Sequence, residues 1–204
     1  MQRDLCLDPS LRILHHVLSN ATNHASAAMC RWINGVITLT LDEIYEVPLE
    51  DVLSTLKVGD EMVTAVVLTL DGAESGQLIL MFDEGQGRHL AASLLQREPG
   101  TDPEWSELEQ SALCETGNIL GCAYMNALTK LVDVELVPSI PYFLQDYGAS
   151  VLEQALMSQA LTMDNVLICN TRFHRGGEEL NWNVLFVPSN QLRAKLVDVA
   201  ELTE

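Results

Sequence analysis

Positive charge is scarce in this sequence. Eleven Lys and Arg stand against 29 Asp and Glu in 204 residues, a formal net charge of -18. Such a surface repels a phosphate backbone and an anionic leaflet alike, so nucleic-acid and membrane-surface binding are disfavoured and a partner with a basic face is favoured. Solubility in a salty cytoplasm accounts for the same acidity equally well. The five cysteines, Cys6, Cys30, Cys114, Cys122 and Cys169, are odd in number and show no C-x-x-C spacing, so neither a disulfide framework nor a zinc site follows, and core packing is their default role. Residues 1–10 lack the apolar stretch of a secretory signal, and no apolar run is long enough for a membrane span. A cytoplasmic protein with reduced thiols is the expectation. Two signatures of small-molecule chemistry are missing as well. Gly85-Gln86-Gly87 lacks the third glycine and the Lys-Ser/Thr of a phosphate loop, and there is no G-x-S-x-G nucleophile elbow.

Apolar residues make up 48% of the chain and charged residues 20%, which is the composition of a folded globular protein. Leu11, Leu14, Val17, Leu18, Ala21, Ala25, Ala28, Met29 and Trp32 recur at helical spacing and predict a helix over 10–32, stopped by Asn34-Gly35. Strands are expected at 36–41, 62–70 and 77–82, the last two joined by a turn at Asp71-Gly72, with a short helix over 89–96. The same order then recurs. A long helix is expected over 103–131 with Asp102 as N-cap and Pro103 in its first position, then a strand over 132–137 ended by Pro138, a helix over 149–163, a hairpin of 165–173 and 180–187 around Arg175-Gly176-Gly177, and a closing helix over 190–199. Superposing the halves places Ser19 on Asn118, Ala28 on Ala127 and Trp32 on Leu131. The expected fold is therefore α+β: one domain over 1–204 made of two similar halves, about 9–98 and 102–204, with hairpins forming an antiparallel sheet under two long helices.

The second long helix carries the candidate chemistry. At about 100° per residue, Ala112, Leu113, Ile119, Leu120, Ala123, Ala127 and Leu128 share a broad face that must be buried. Ser111, Glu115 and Asn118, at i, i+4 and i+7, form a stripe roughly 150° away from it. Gly117 and Gly121 sit beside Asn118, each costing about 1 kcal/mol relative to Ala inside a helix. Either close packing of the helix against its repeat partner or access for another chain beside Asn118 would offset that cost. Packing is favoured for Gly121 and partner access for Gly117. A Glu and an Asn on an exposed helix face, taken alone, are most simply a solvated surface.

The spacing to a distant proline changes that reading. The stretch Ser111-x3-Glu115-x2-Asn118-x22-Pro141 resembles the motif of the CheC, CheX and FliY family of CheY-phosphate phosphatases: Asp or Ser, three residues, Glu, two residues, Asn, twenty-two residues, Pro. The surrounding Glu115-Thr-Gly-Asn-Ile-Leu-Gly-Cys-Ala-Tyr-Met-Asn-Ala-Leu128 and Pro138-Ser-Ile-Pro141, followed by Asp146, are also similar to CheC. The likeness extends over the whole chain through the shared duplicated order of elements. It implies hydrolysis of the phosphoaspartate of a CheY-type response regulator. In that scheme Asn118 orients the attacking water, Glu115 pairs with the regulator's Lys, and Ser111 and Pro141 support the geometry. The regulator, not this chain, supplies Mg²⁺. A carboxamide suits the task because it offers an acceptor and two donors without adding a charge.

Many CheC proteins carry the motif in both halves. The first-half counterparts here are Arg12, His16, Ser19 and Asp42, which keep none of the Glu, Asn or Pro, so one site in the second half is expected. FliY's additional C-terminal domain has no counterpart in these residues, and the middle domain of FliM, similar in fold, lacks the Glu and Asn. The competing reading is a non-catalytic binding module for a response regulator or a CheD-type deamidase. A third is a structural component of the flagellar switch. Two other clusters point to bland roles: His15, His16 and His24 have no carboxylate that completes a metal site, and Arg172, His174 and Arg175 fit a solvated hairpin tip.

Overall fold

Runs rich in β-branched and aliphatic residues build a single sheet, and two long amphipathic stretches cover it. The computed structural model describes residues 9–33, 37–56, 58–70, 75–100, 102–133, 135–160, 165–175 and 178–201. The first half comprises helix α1 (Pro9–Ile33), strand β1 (Ile37–Pro48), a 3-10 turn (Leu49–Asp51) leading into helix α2 (Val52–Leu56), strands β2 (Met62–Leu70) and β3 (Gly76–Asp83), and helix α3 (Glu84–Leu94). The second half follows the same order with α4 (Glu107–Val132), β4 (Tyr142–Tyr147), α5 (Gly148–Ala160), β5 (Asn165–Arg175), β6 (Glu178–Pro188) and α6 (Asn190–Glu201). The turns expected at 34–35, 71–72 and 176–177 lie outside the described residues.

All six strands join one antiparallel sheet in the order β1-β5-β6-β3-β2-β4. Exchanging the halves reverses this order and leaves it unchanged, so a pseudo-twofold axis passes between β3 and β6. Each half lends its first strand to the other: β1 pairs with β5, and β4 with β2. Side chains alternate between the two faces of a strand, and β2 shows the consequence. Val66 and Leu68 enter the core beneath α1 and α4, while Ala65 and Val67 enter a second core with Val52 of α2 and Val151, Leu152, Ala155 and Leu156 of α5. The sheet is thus covered on both faces. The helical registers of the halves correspond: Leu14, Leu18, Ala21, Ala25 and Met29 of α1 are buried, as are Leu113, Gly117, Leu120, Tyr124 and Leu128 of α4.

Two expectations about the second half are overturned. The long helix does not start at Asp102-Pro103. Ser106 is its N-cap, and its hydroxyl and the Glu109 carboxylate form a reciprocal capping box, the pattern that satisfies two orphan N–H groups at once. Residues 102–106 stay out of the helix, which lets Trp105 turn inward, buried against Phe143 of β4 with ring centroids 5.4 Å apart. The carbonyls of Pro103 and Glu104 accept from the Arg88 guanidinium. Nor is 132–137 a strand. The helix ends at Asp133 in a left-handed conformation, φ 51°, and the strand comes after Pro141 instead. Both prolines lack the N–H a ladder needs. Between them Ser139 fastens the loop to β2: its N–H donates to the Thr69 carbonyl at 2.7 Å and its hydroxyl accepts from the Thr69 N–H at 3.0 Å.

The glycines of α4 meet neither the repeat-partner helix nor an open surface. A Cβ on Gly117 would lie 2.5 Å from Val66 Cγ1, and one on Gly121 would lie 2.9 Å from Leu68 Cδ2. Their missing side chains seat α4 directly on β2, so partner access at Gly117 is not the explanation for that residue. Gly117→Ala must displace a fully buried valine in mid-sheet. Overpacking of about 1–3 kcal/mol exceeds the roughly 1 kcal/mol that Ala gains in helix propensity. The variant is expected to be destabilised by up to about 2 kcal/mol by that difference, read as a lower urea midpoint; raised stability would mean that α4 does not depend on this close approach.

Candidate functional site

The capping box and Trp105 set where α4 begins, and Gly117 and Gly121 set its height and rotation above β2. Thr116 fixes the remaining direction. Its hydroxyl accepts from Trp32 Nε1 of α1 at 3.0 Å and donates to the Ala112 carbonyl at 2.9 Å. The flank of α4 bearing Thr116 therefore faces α1. Asn118, about 200° further round, lies on the opposite flank. Leu68, which contacts the Gly121 position, belongs to the strand that pairs with β4 and that Ser139 anchors.

The four motif residues stand as follows. Ser111 and Glu115 are exposed, Asn118 and Pro141 half-buried. Glu115 makes no ion pair or hydrogen bond among the described residues and is free to engage a partner. Asn118 Oδ1 accepts a hydrogen bond from Cys122 Sγ at 3.6 Å, a contact within α4 that motif spacing does not disclose. Two large apolar side chains also stand exposed next to these residues: Leu108, one turn ahead of Ser111, at 57%, and Ile140, adjacent to Pro141, at 90%.

The mount of the site is the part that sequence reasoning missed. Glu109 is 3% exposed, yet it is charged. Its Oε1 lies 2.9 Å from Arg97 Nη2 and its Oε2 3.5 Å from Arg88 Nη1. Oε2 also accepts from the Ser106 hydroxyl at 2.6 Å and N–H at 2.9 Å. Burial pushes the Glu109 carboxyl pKa up, but the Ser106 bonds and the two guanidiniums outweigh burial and hold it below its ordinary value. Arg88 in turn stacks on Trp105, 4.1 Å from the ring centroid. The Ser106-x-x-Glu109 spacing ahead of an apolar run is the sequence signal that marks this cap.

The first-half counterpart is differently furnished. Ser19 Oγ and His15 Nδ1 are 3.4 Å apart, and His16 is exposed. Asp42 is a β1 residue at a register shift, paired with Arg172 at 2.7 Å. That ion pair also corrects the reading of Arg172 as a solvated turn residue; the side chain of Arg12 lies outside the described residues. Cys169 is fully buried, and burial pushes its thiol pKa up, in keeping with core packing. Among the described residues no three His, Cys, Asp or Glu side chains gather as a metal site, and no helix is long and apolar enough to cross a membrane.

Grooves occur elsewhere. One of about 500 Å³ runs between α1 and α4 and includes Asn23, His24 and Lys130, and one of about 470 Å³ lies between α2 and α5. Neither contains Glu115 or Asn118. The pair stands on the outer stripe of α4, Glu115 exposed and Asn118 half-buried.

No protein-family model matches the chain. It is similar to the CheY-P phosphatase CheC of Bacillus subtilis, 23% identical over 167 residues that cover 80% of this chain and 79% of that protein. Among solved structures it is similar to Thermotoga maritima FliY, with a TM-score of 0.75 at 15% identity over 98% of this chain and 100% of that one. It is also similar to the FliM middle domain of H. pylori, with a TM-score of 0.67 at 11% identity over 95% of this chain and 99% of that one. At these identities the two structural likenesses speak for the fold.

Proposed function

We propose that this chain is a member of the CheC, CheX and FliY family and that it hydrolyses the phosphoaspartate of a CheY-type response regulator with Glu115 and Asn118. The observation that carries the reading is the placement of this pair: an unengaged carboxylate and a carboxamide one turn apart on the outer stripe of α4, outside both described grooves. A helix edge of this shape suits insertion into another protein's active site.

The chemistry asks little more of this chain. The regulator holds the acyl phosphate together with its Mg²⁺ and Lys. The water oxygen bonds to phosphorus as the bond from phosphorus to the aspartyl oxygen breaks, the carboxylate leaves as the anion, and the water's protons end on inorganic phosphate or solvent. Catalysis of such a transfer is mostly positioning and electrostatics. Asn118 Oδ1 accepts from the water, turning a water lone pair toward phosphorus, while Nδ2 donates to a phosphoryl oxygen. Glu115 docks on the regulator's Lys, and Leu108 and Ile140 add apolar contact beside them. Ser111 and Pro141 keep the supporting role the motif resemblance gives them.

The deciding experiment is the decay of the phosphorylated regulator with Mg²⁺ present, with and without this protein. Acceleration that is catalytic in the added chain supports the reading. Binding without acceleration supports the alternative, a module that binds a response regulator or a CheD-type protein without hydrolysis. The likeness in fold to the FliM middle domain gives that alternative its weight.

A further inference from the structure

We propose that Cys122 is a positioning residue for Asn118, selecting the orientation of its carboxamide; the inference rests on the phosphatase reading above. Cys122 lies one turn after Asn118 on the same outer stripe and is half-buried. Side chains on a helix lean toward its N-terminus, which carries the Cys122 thiol back over the Asn118 carboxamide, where Sγ donates to Oδ1 at 3.6 Å.

The two ends of a carboxamide are nearly equal in size and opposite in function: one accepts, the other donates twice. Rotation by a half-turn exchanges them and would present the wrong end to the water. A thiol donates a hydrogen bond, weakly, and accepts one poorly. It therefore favours the rotamer with Oδ1 turned toward itself and Nδ2 turned outward. The carbonyl oxygen retains a second lone pair for the attacking water, and both Nδ2 hydrogens remain for the phosphoryl group. Cys122 touches neither water nor phosphorus, and acts through Asn118.

The test compares Cys122→Ala, Cys122→Val and Cys122→Ser by steady-state dephosphorylation of the regulator. Ala and Val remove the donor and are expected to lower kcat about 3- to 10-fold, the effect of one weak hydrogen bond, with KM for the phosphorylated regulator unchanged. Ser restores a donor in the same place and recovers most of that loss, which a mere packing defect would not allow. Equal kcat in wild type and the Ala variant overturns the proposal, as does a Ser variant no better than Ala. A second readout does not depend on turnover. The side-chain amide NMR signals of Asn118 should shift and broaden in the Ala variant and return toward their wild-type positions in the Ser variant. If wild type shows no phosphatase activity, the functional reading fails while this readout still decides the positioning role: signals unchanged by Cys122→Ala refute it.

Discussion

Asn118→Ala is expected to lower the turnover of phosphorylated regulator by about 100-fold or more, the scale on which a preorganised polar group at a reacting centre contributes, while the complex still forms. The side chain is half-buried, its bond to Cys122 is weak and lies within one helix, and its replacement opens no core cavity. Ala is also the best helix former, so α4 should keep its stability, and the loss belongs to chemistry rather than folding. Glu115→Ala should behave differently. It removes the carboxylate proposed to meet the regulator's Lys, and a charge-assisted hydrogen bond of about 1.5–3 kcal/mol predicts roughly a 10- to 100-fold loss in kcat/KM with a large share in KM. Run side by side in a phosphate-release assay with a pull-down of the regulator, the two variants separate water orientation from docking. Turnover that survives Asn118→Ala would remove the water-orienting role from this residue and with it the proposed mechanism.

Glu109→Ala is expected to be the most destabilising single change near the site, by about 3 kcal/mol. Removing one partner of a buried ion pair costs about 3–5 kcal/mol because the other charge is left behind. The lower end applies here, since Arg97 is well exposed and Arg88 keeps the carbonyls of Pro103 and Glu104 and its stack on Trp105. The change also opens the capping box, so the first turn of α4 loosens, and with it the stripe that begins at Ser111. The same carboxylate predicts a pH dependence. Its pKa is held below the ordinary 4.5 in the folded protein. Its contribution is therefore complete above that pH and is lost as pH falls through the lowered folded value, when the unfolded chain binds the proton more readily. Urea unfolding at neutral pH and in mild acid reads both effects. Wild type should lose stability on acidification more steeply than Glu109→Ala. Parallel losses in the two proteins would assign the acid sensitivity to other carboxylates.

The motif stripe and the faces of the two long helices were legible in sequence because they depend on local periodicity. Leu113, Leu120 and Leu128 read as buried and Ser111 and Glu115 as exposed, and so they are. The repeated order of elements and the antiparallel hairpins followed from the same kind of pattern, and the pseudo-twofold sheet agrees with them. Where α4 begins was not settled by Asp102-Pro103, a plausible start in isolation. Two possible starts competed, and Ser106 prevailed because its box with Glu109 is stabilised by Arg88 and Arg97, and because Trp105 gains burial against Phe143, all contacts distant in sequence. The strand expected over 132–137 failed for a related reason: apolar content marks a segment that could pair, but pairing needs a neighbour, and β2 offers its edge to the residues after Pro141. Sequence alone determined which residues could do the chemistry and that they share one helical stripe. Tertiary structure decided what Gly117 and Gly121 are for, which flank of α4 looks outward, and that Cys122 reaches Asn118, because rotation and height of a helix on a sheet are set by non-local packing, about which a period of 3.6 residues carries no information.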